Sequence, residues 1–551
     1  MMSNQKLKIL PLGGLGEVGM NCMVIECGET MVLIDCGLQF PDSTYTGVEL
    51  LLPDLKYLLA NLDKIKAVIV THGHDDHIGA IPFLLRHVAL DVYTTRFPKS
   101  LIENKLIEHS NLKPIRFHEI TQREKFTVGC FEFDPIPVQH SIIEALAFSI
   151  KTPCGTIIHT GDFKHDPKEL SQGQIGFEPF EEIGNEGVLL LMSDSTNAER
   201  AGHTLSEMQI VESFQSILSN QKSRLIIALF ASNIKRLEKI MAIAYEQGKK
   251  IAFAGRSMHS YTRLASEQGK LTIPPDTLVL LEDTQRVPDE KMIVLATGSQ
   301  AEPQSALLRI SEGIHKDFQI KPGDQVVMSS RFIPGNERNI TKMIDQLYRQ
   351  GAEVMYESVH QIHVSGHGFQ EELLMMLKAV RPKFFIPIHG EFRHLSKHAN
   401  LAVSAGVEKQ NVIVVEDGQF VEVDANEIRL GEKLVMQKTT VVEMQYVQGT
   451  PEVLKERNNL CKTGIVYVTF LCDKHTEKLI GDPVISAYGQ MYRSEYTEDV
   501  IFPHLKEHLK EVFRTARNQE SLHDLIRIET RKFFKRRASH KPVVIPIILD
   551  V

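Results

Sequence analysis

The sequence predicts an α/β protein: an αββα sandwich with an α/β domain inserted into it and a small α+β module at the end. Three observations predict this. Residues 7–200 read mostly as short strands with a few helices. From about 205 to 360, strands alternate with helices, the pattern of a parallel sheet. After 361 the short-strand pattern resumes, and beyond a polar stretch a last run of strands and helices closes the chain.

The first strands flank a glycine-rich loop. Gly14-Leu-Gly-Glu-Val-Gly19 matches the Gly-x-Gly-x-x-Gly fingerprint of dinucleotide-binding folds. That motif needs a helix next, with its N-terminus facing the pyrophosphate. Here Asn21-Cys-Met-Val-Ile-Glu26, Gly28-Glu29 and Met31-Val-Leu-Ile-Asp35 follow, which reads as a β-hairpin. A nicotinamide or flavin site is therefore set aside. The glycines are expected to let backbone approach the polar cluster that comes next.

That cluster is His72-Gly-His-Asp-Asp-His77, directly after the apolar run Ala67-Val-Ile-Val-Thr71. The apolar segment Ile78–Leu85 after it suggests a strand–loop–helix setting. His72 and His74 can then point the same way, while Asp76 and His77 open a helix. Neutral imidazole and carboxylate suit zinc and its neighbours. A merely solvated loop has no need of three imidazoles and two carboxylates in six residues.

Three lone polar residues, each ending an apolar run, supply what a two-cation site would still lack. They are His140 after Phe133-Asp-Pro-Ile-Pro-Val-Gln139, Asp162 in His159-Thr-Gly-Asp-Phe163, and His389 after Phe384-Phe-Ile-Pro-Ile388. With the cluster they reach seven donors, enough for two divalent ions sharing a carboxylate. Zinc fits the donor types, and manganese or magnesium can occupy similar sites. Asp35 is expected behind the ligands, fixing the histidine loop.

In the inserted region Leu225–Phe230 precedes Ala231-Ser-Asn233, and Ile251–Ala254 precedes Gly255-Arg-Ser257. Ile293–Ala296 precedes Thr297-Gly-Ser299, and Val326–Met328 precedes Ser329-Ser-Arg331. Small polar residues after parallel strands mark the ligand crevice of such a sheet, and helix N-termini there attract phosphate. The boundaries expected are 1–204 and 361–445 for the sandwich, 205–360 for the insert, 446–460 for a linker and 461–551 for the terminal module. A hairpin is expected over Val412–Val421. The terminal module should hold strands at Gly464–Cys472 and Pro483–Tyr488, helices over about 495–515 and 518–537, and a strand at 543–549. It is near the lower size limit of a free-standing domain, so a second subunit would help stabilise it.

Hydrophobic content of 42% and charged content of 24% are those of an ordinary globular protein. No apolar run approaches the ~20 residues of a membrane span, and no secretory pattern opens the chain. Seven cysteines without a Cys-x-x-Cys pair argue for free thiols and a cytoplasmic setting. Net charge is −8, awkward for a nucleic-acid enzyme, yet residues 501–551 carry 11 Lys and Arg against 6 Asp and Glu. Global charge does not decide the substrate.

The ordered donor set resembles that of the metallo-β-lactamase superfamily. Ser193-Asp-Ser-Thr-Asn-Ala198, Val364-Ser-Gly-His-Gly368 and Ile388-His-Gly-Glu391 resemble the three motifs of its β-CASP, nucleic-acid-processing members. Leu12–Asn21, Thr297-Gly-Ser-Gln-Ala-Glu-Pro303 and Ile333-Pro-Gly-Asn-Glu337 look more specifically like bacterial ribonuclease J. Val364 is one departure, where a smaller residue is the rule.

The resemblance implies a metallo-β-lactamase sandwich with a β-CASP insert. It implies one ion on His72, His74 and His140, another on Asp76, His77 and His389, and Asp162 shared. Asp76 and Asp162 would orient the attacking water, and His367, oriented by Asp194, would donate a proton to the leaving oxygen. Ala231, Ser232, Asn233, His363, Val364, Ser365, Gly366 and His367 would contact the nucleotide. The activity implied is 5′-to-3′ exonuclease and endonuclease action on single-stranded RNA in maturation and decay. Homodimers or homotetramers through the terminal module and an RNA-degradation complex are implied as well.

Two other readings compete. A small-ester or thioester hydrolase would not require an inserted α/β domain. A non-catalytic ribonuclease partner would not need all seven donors with Asp194 and His367 intact.

Overall fold

The computed structural model describes residues 6–42, 44–170, 176–332, 336–356, 362–447, 450–476, 478–492, 497–515 and 519–551. They form two units, one from the residues up to Gln39 with Leu51–Thr439, the other from Phe40–Leu50 with Thr440–Val551.

Two facing sheets make the sandwich of the first unit. The larger runs in the order Ile428–Lys433, Gln419–Val423, Leu7–Gly13, Cys22–Cys27, Thr30–Ile34, Ile65–Ile69, Leu90–Thr94, Ile115–Glu119. Its hairpin turns at Gly28, which takes φ +62°, and pairs Cys27 with Thr30. The glycine loop thus leads into antiparallel strands, as the sequence predicts, and not into a dinucleotide-binding helix.

The smaller sheet runs Phe384–Ile388, Leu190–Asp194, Gly155–His159, Leu146–Thr152, Phe131–Pro137, Phe126–Val128. Ile25, Ile34, Ile69, Phe133, Phe148, Leu190 and Ile386 fill the space between the sheets. Its other face carries Phe180, Leu373, Met376 and Leu377 from helices Glu178–Glu186 and Gln370–Val380. Burial on both faces is why the three parallel strands read as unbroken apolar runs. His159 pairs with Met192 and Asp194 with Ile388, so these strands end together. Asp162, Asp194 and His389 therefore emerge at one edge.

The insert is a five-stranded parallel sheet, ordered Lys250–Ala254, Met292–Ala296, Leu225–Ala228, Gln325–Met328, Glu353–Met355. Its first strand is central, so the chain leaves it toward both edges and opens a crevice at the strand ends. Of the motif Ile333–Glu337, residues 333–335 lie outside the described residues.

One expectation is corrected. Val412–Val421 is not a hairpin: Val412 bridges Phe385 and Ile413 N–H donates to the Phe385 carbonyl at 3.0 Å. Burial against the smaller sheet draws this run away. Gln419–Val423 pairs instead with Ile428–Lys433, across a turn in which Asp424 Oδ1 accepts from Asn426 and Glu427 N–H. The stretch expected as a linker holds a helix, Pro451–Thr463, because Thr450 caps Val453 N–H and Pro451 starts the first turn.

In the second unit Ile465–Cys472 pairs antiparallel with Val484–Tyr488 and parallel with Val543–Asp550. Helices Glu498–Thr515 and Gln519–Ala538 cover one face through Leu505, Leu509, Ile526 and Phe534. On the other face Leu471, Val484, Tyr488, Ile545 and Leu549 are exposed. No described helix is long and apolar enough to cross a membrane.

Candidate metal centre

The histidine loop follows the strand Ile65–Ile69 and enters the short helix Asp75–Ile78, with His74 as its first, half-helical residue. Asp35 lies behind it. Its Oδ1 accepts from Thr71 N–H at 2.8 Å and its Oδ2 from the Thr71 hydroxyl at 2.7 Å, while His77 Nδ1 sits 2.7 Å from Oδ2. This is the supporting place expected for Asp35. Gly37 packs so tightly on the loop that a Cβ would stand 1.7 Å from the Asp76 carbonyl oxygen.

All seven predicted donors converge. His74 Nδ1 is 3.0 Å from His72 Nε2 and 3.1 Å from His140 Nε2. Asp162 Oδ2 lies 3.6 Å from His72 Nε2, 3.7 Å from His140 Nε2, 3.3 Å from His77 Nε2 and 3.6 Å from His389 Nε2. Asp76 Oδ2 is 3.6 Å from His77 Nε2 and 3.5 Å from His389 Nε2. One group is His72, His74, His140 and Asp162, another Asp76, His77 and His389, and within each the donor atoms lie within 4.8 Å of one another.

The electrostatics fit cations. Burial holds His72 and His140 well below the ordinary histidine value and His74 at about 4, so these rings offer lone pairs. With the His140 hydrogen on Nδ1 facing the Gly366 carbonyl, an N–H can bridge only one of these two contacts, and a shared cation would take all three lone pairs. Burial also pushes His77 and His389 down, but Asp162 and the neighbouring carboxylates outweigh it and raise His389 to about 9. The cluster is suited to binding metal.

Beside it stand the proposed acid and its partner. His367 Nδ1 is 2.7 Å from Asp194 Oδ2, which leaves Nε2 for a second partner. Burial lowers the His367 value, yet Asp194 and Asp162 carry it above the ordinary range. Gly366 brings its carbonyl 2.7 Å from His140 Nδ1, which fixes the tautomer and turns Nε2 to the cluster. A Cβ at Gly366 would meet Ser141 Oγ at 2.7 Å and the His140 ring at 2.8 Å.

The predicted nucleotide contacts meet at the same junction. Ser232 Oγ is 3.1 Å from His74 Nε2, so the crevice of the insert opens onto the centre. Asn233 is partly committed, since its Oδ1 caps helix Ile234–Glu246 by accepting from Arg236 N–H at 3.2 Å. Ala231 and Val364 are buried. His363 lies 3.4 Å from an Arg236 nitrogen, and burial with that charge holds it at about 3. Ser365 Oγ accepts from Asn197 Nδ2 at 2.8 Å and from His367 N–H at 3.1 Å.

Two residues of this site escape sequence reasoning. Thr196 Oγ1 bonds Asp194 Oδ1 at 2.8 Å and lies 2.6 Å from His389 Nδ1. Asn197 also donates to the His367 carbonyl at 2.9 Å. Both lie in the motif Ser193–Ala198, but the resemblance assigned a role only to Asp194.

Comparison with known proteins matches most of the chain to family models and nearly all of it to relatives. Four family models match: the beta-lactamase superfamily domain at residues 30–178, the ribonuclease J beta-CASP domain at 222–347, the Zn-dependent metallo-hydrolase RNA specificity domain at 351–415, and the ribonuclease J C-terminal domain at 452–551. Ribonuclease J2 of Bacillus subtilis is 33% identical over 100% of this chain and 99% of its own. Ribonuclease J of Thermus thermophilus is 36% identical, covering 99% and 95%. Ribonuclease J of Helicobacter pylori is 35% identical, covering 99% and 79%. A solved structure, a protein of unknown function from Enterococcus faecalis, shares the fold at TM-score 0.54 and 15% identity, over 76% of this chain and 100% of that one.

Proposed function

This chain belongs to the ribonuclease J family and is a metal-dependent ribonuclease; we propose that it degrades single-stranded RNA from the 5′ end and also cuts it internally, using two divalent cations. One observation supports this above the others: Asp162 Oδ2 stands between 3.3 and 3.7 Å from ring nitrogens of both histidine groups. His72, His74 and His140 would hold one cation, Asp76, His77 and His389 the other, and Asp162 both. Bound there, the ions supply Lewis acidity and a water acidified toward neutral pH. Zinc matches the donors, with manganese or magnesium as alternatives.

The chain's own groups carry the rest. Asp76 and Asp162 orient the attacking water. His367, charged through Asp194, gives its Nε2 proton to the leaving 3′ oxygen. Ser232, Asn233 and the His363–His367 segment form the cradle for a 5′ monophosphate, with hydroxyl and backbone N–H donors in place of net positive charge. The same reading divides the chain at 1–204, 205–360, 361–445, 446–460 and 461–551. It places a homodimer or homotetramer contact on the terminal module, supported by the exposed apolar sheet face, and allows membership of an RNA-degradation complex in the cytoplasm.

The test is hydrolysis of labelled RNA and of a thioester by the purified protein, with and without chelator. RNA cleavage lost on chelation and restored by zinc or manganese is the expected result. Thioester turnover without RNA cleavage would move the chain to small-molecule hydrolysis, and neither activity would make it a partner subunit.

A further inference from the structure

The insert leaves the sandwich near Glu207 and returns through Ile362–His367, and a buried charge cluster joins the two crossings. Arg236 is 4% exposed and sits in the first turn of helix Ile234–Glu246. Its guanidinium grips Glu207, with one nitrogen 2.9 and 3.0 Å from the two carboxylate oxygens and Nε 3.3 Å from one of them. The same carboxylate accepts from Lys164 Nζ at 3.1 Å, and Lys164 is also buried. Burial pushes the Glu207 carboxyl up, but Arg236 and Lys164 outweigh it and hold it at about 2.

The guanidinium also contacts the return crossing and its support. The nitrogen that bonds both Glu207 oxygens lies 3.4 Å from the Val364 carbonyl, the other terminal nitrogen lies 3.3 Å from the Ser329 hydroxyl, and that hydroxyl donates to the Ile362 carbonyl at 2.6 Å. From Glu207 the bonds continue into the sandwich. Glu207 N–H donates to Asp166 Oδ2 at 2.9 Å, and Asp166 N–H to Gln139 Oε1 at 2.6 Å. Lys164 N–H donates to the Gln139 carbonyl at 2.8 Å. Gln139 adjoins His140, Lys164 follows Asp162 by two residues, and the return crossing ends in His367. Three segments of the site are thus tied to one ion pair.

We propose that Arg236 and Glu207 are positioning residues, whose forked pair sets the register of the His363–His367 segment against the His140 and Asp162 loops. The inference rests on the 5′-end reading of the site. A planar fork fixes angle as well as distance, which the point charge of a lysine does not. A cluster that only fastened the insert would affect stability and leave turnover alone.

Arg236→Met, Arg236→Lys and Glu207→Gln in the full metal-loaded chain test this. The readouts are kcat and KM on 5′-monophosphorylated and 5′-hydroxyl RNA, internal cleavage of a circular RNA, and thermal unfolding. Arg236→Met should lower kcat on the monophosphorylated RNA about 100-fold, the scale of an ångström's misplacement. KM should change little and the preference for a monophosphate end should shrink. Arg236→Lys should recover only part of the loss. If Arg236→Met does not fold, the isosteric Glu207→Gln takes its place with the same expectation. A folded variant with wild-type kcat and a lower melting temperature would overturn the proposal, as would full recovery in Arg236→Lys. A wild-type enzyme indifferent to the 5′ end would instead remove the cradle reading, and kcat on circular RNA would then decide the positioning role alone.

Discussion

The two histidine groups of the centre use the same kind of side chain and differ in protonation: one is neutral, the other charged. His72 and His140 face one carboxylate, Asp162, and His74 has Asp76 beside it as well, yet burial keeps all three neutral. His77 and His389 are just as buried, yet Asp35, Asp76, Asp162 and Asp194 surround them and hold them charged, His389 at about 9. Low dielectric magnifies both effects, and the number of nearby carboxylates decides which wins. The first group is a set of free nitrogen donors. The second balances its carboxylates with protons, the place a cation's charge would take.

The largest expected effect comes from emptying either group. His74→Ala and His77→Ala should each reduce RNA hydrolysis to the level of the chelated enzyme while circular dichroism shows a folded chain. Metal analysis should find close to two ions per wild-type chain and fewer in each variant. Full activity after verified removal of both ions would sink the two-cation reading, and loss in one variant only would show that the groups are not equivalent in function.

Next is the residue that borders both groups. His367→Ala should lower the single-turnover rate by ~100-fold with little change in RNA affinity, and Asp194→Asn should do the same more mildly. If the rate holds and only binding weakens, His367 is a phosphate ligand. Ser365→Phe should act on specificity: wild type should favour a 5′-monophosphate over a 5′-triphosphate end, and the variant should lose that preference while still cutting internally. Equal wild-type rates on the two ends would show that the cradle is misplaced.

The smallest effect extends the comparison to a histidine with few charges near it. His398 is fully buried against Ser195, 2.9 Å away, and burial holds it at about 3. The unfolded chain, near 6.5, binds the proton more readily than the folded one. The neutral form therefore stabilises the fold above pH 6.5, and that contribution is lost as pH falls toward 3. The destabilisation caused by His398→Gln should shrink by about 2 kcal/mol between pH 7 and pH 5, read by urea unfolding. A gap independent of pH would mean that burial does not dominate there.

Short-range chemistry determined much of this protein from its sequence. The run Ala67–Thr71 before His72–His77 announces a strand and a ligand loop, and Gly28-Glu29 between apolar runs announces a hairpin. Lone polar residues after apolar runs flagged His140, Asp162 and His389; before Asp162 and His389 the strand is buried on both faces and tolerates polarity only at its end. What only the tertiary structure decided depends on partners far apart in sequence. His367 meets Asp194 across 173 residues and the Gly366 carbonyl meets His140 across 226. Thr196, Asn197, Arg236 and Glu207 look like ordinary polar residues until the fold closes around them, and Val412 leaves its expected hairpin for Phe385 on the other sheet. Local pattern specifies which elements form, because turns, caps and alternation act over a few residues. Protonation, ligand sharing and domain register follow from burial and Coulomb forces, which depend on neighbours in space and not along the chain.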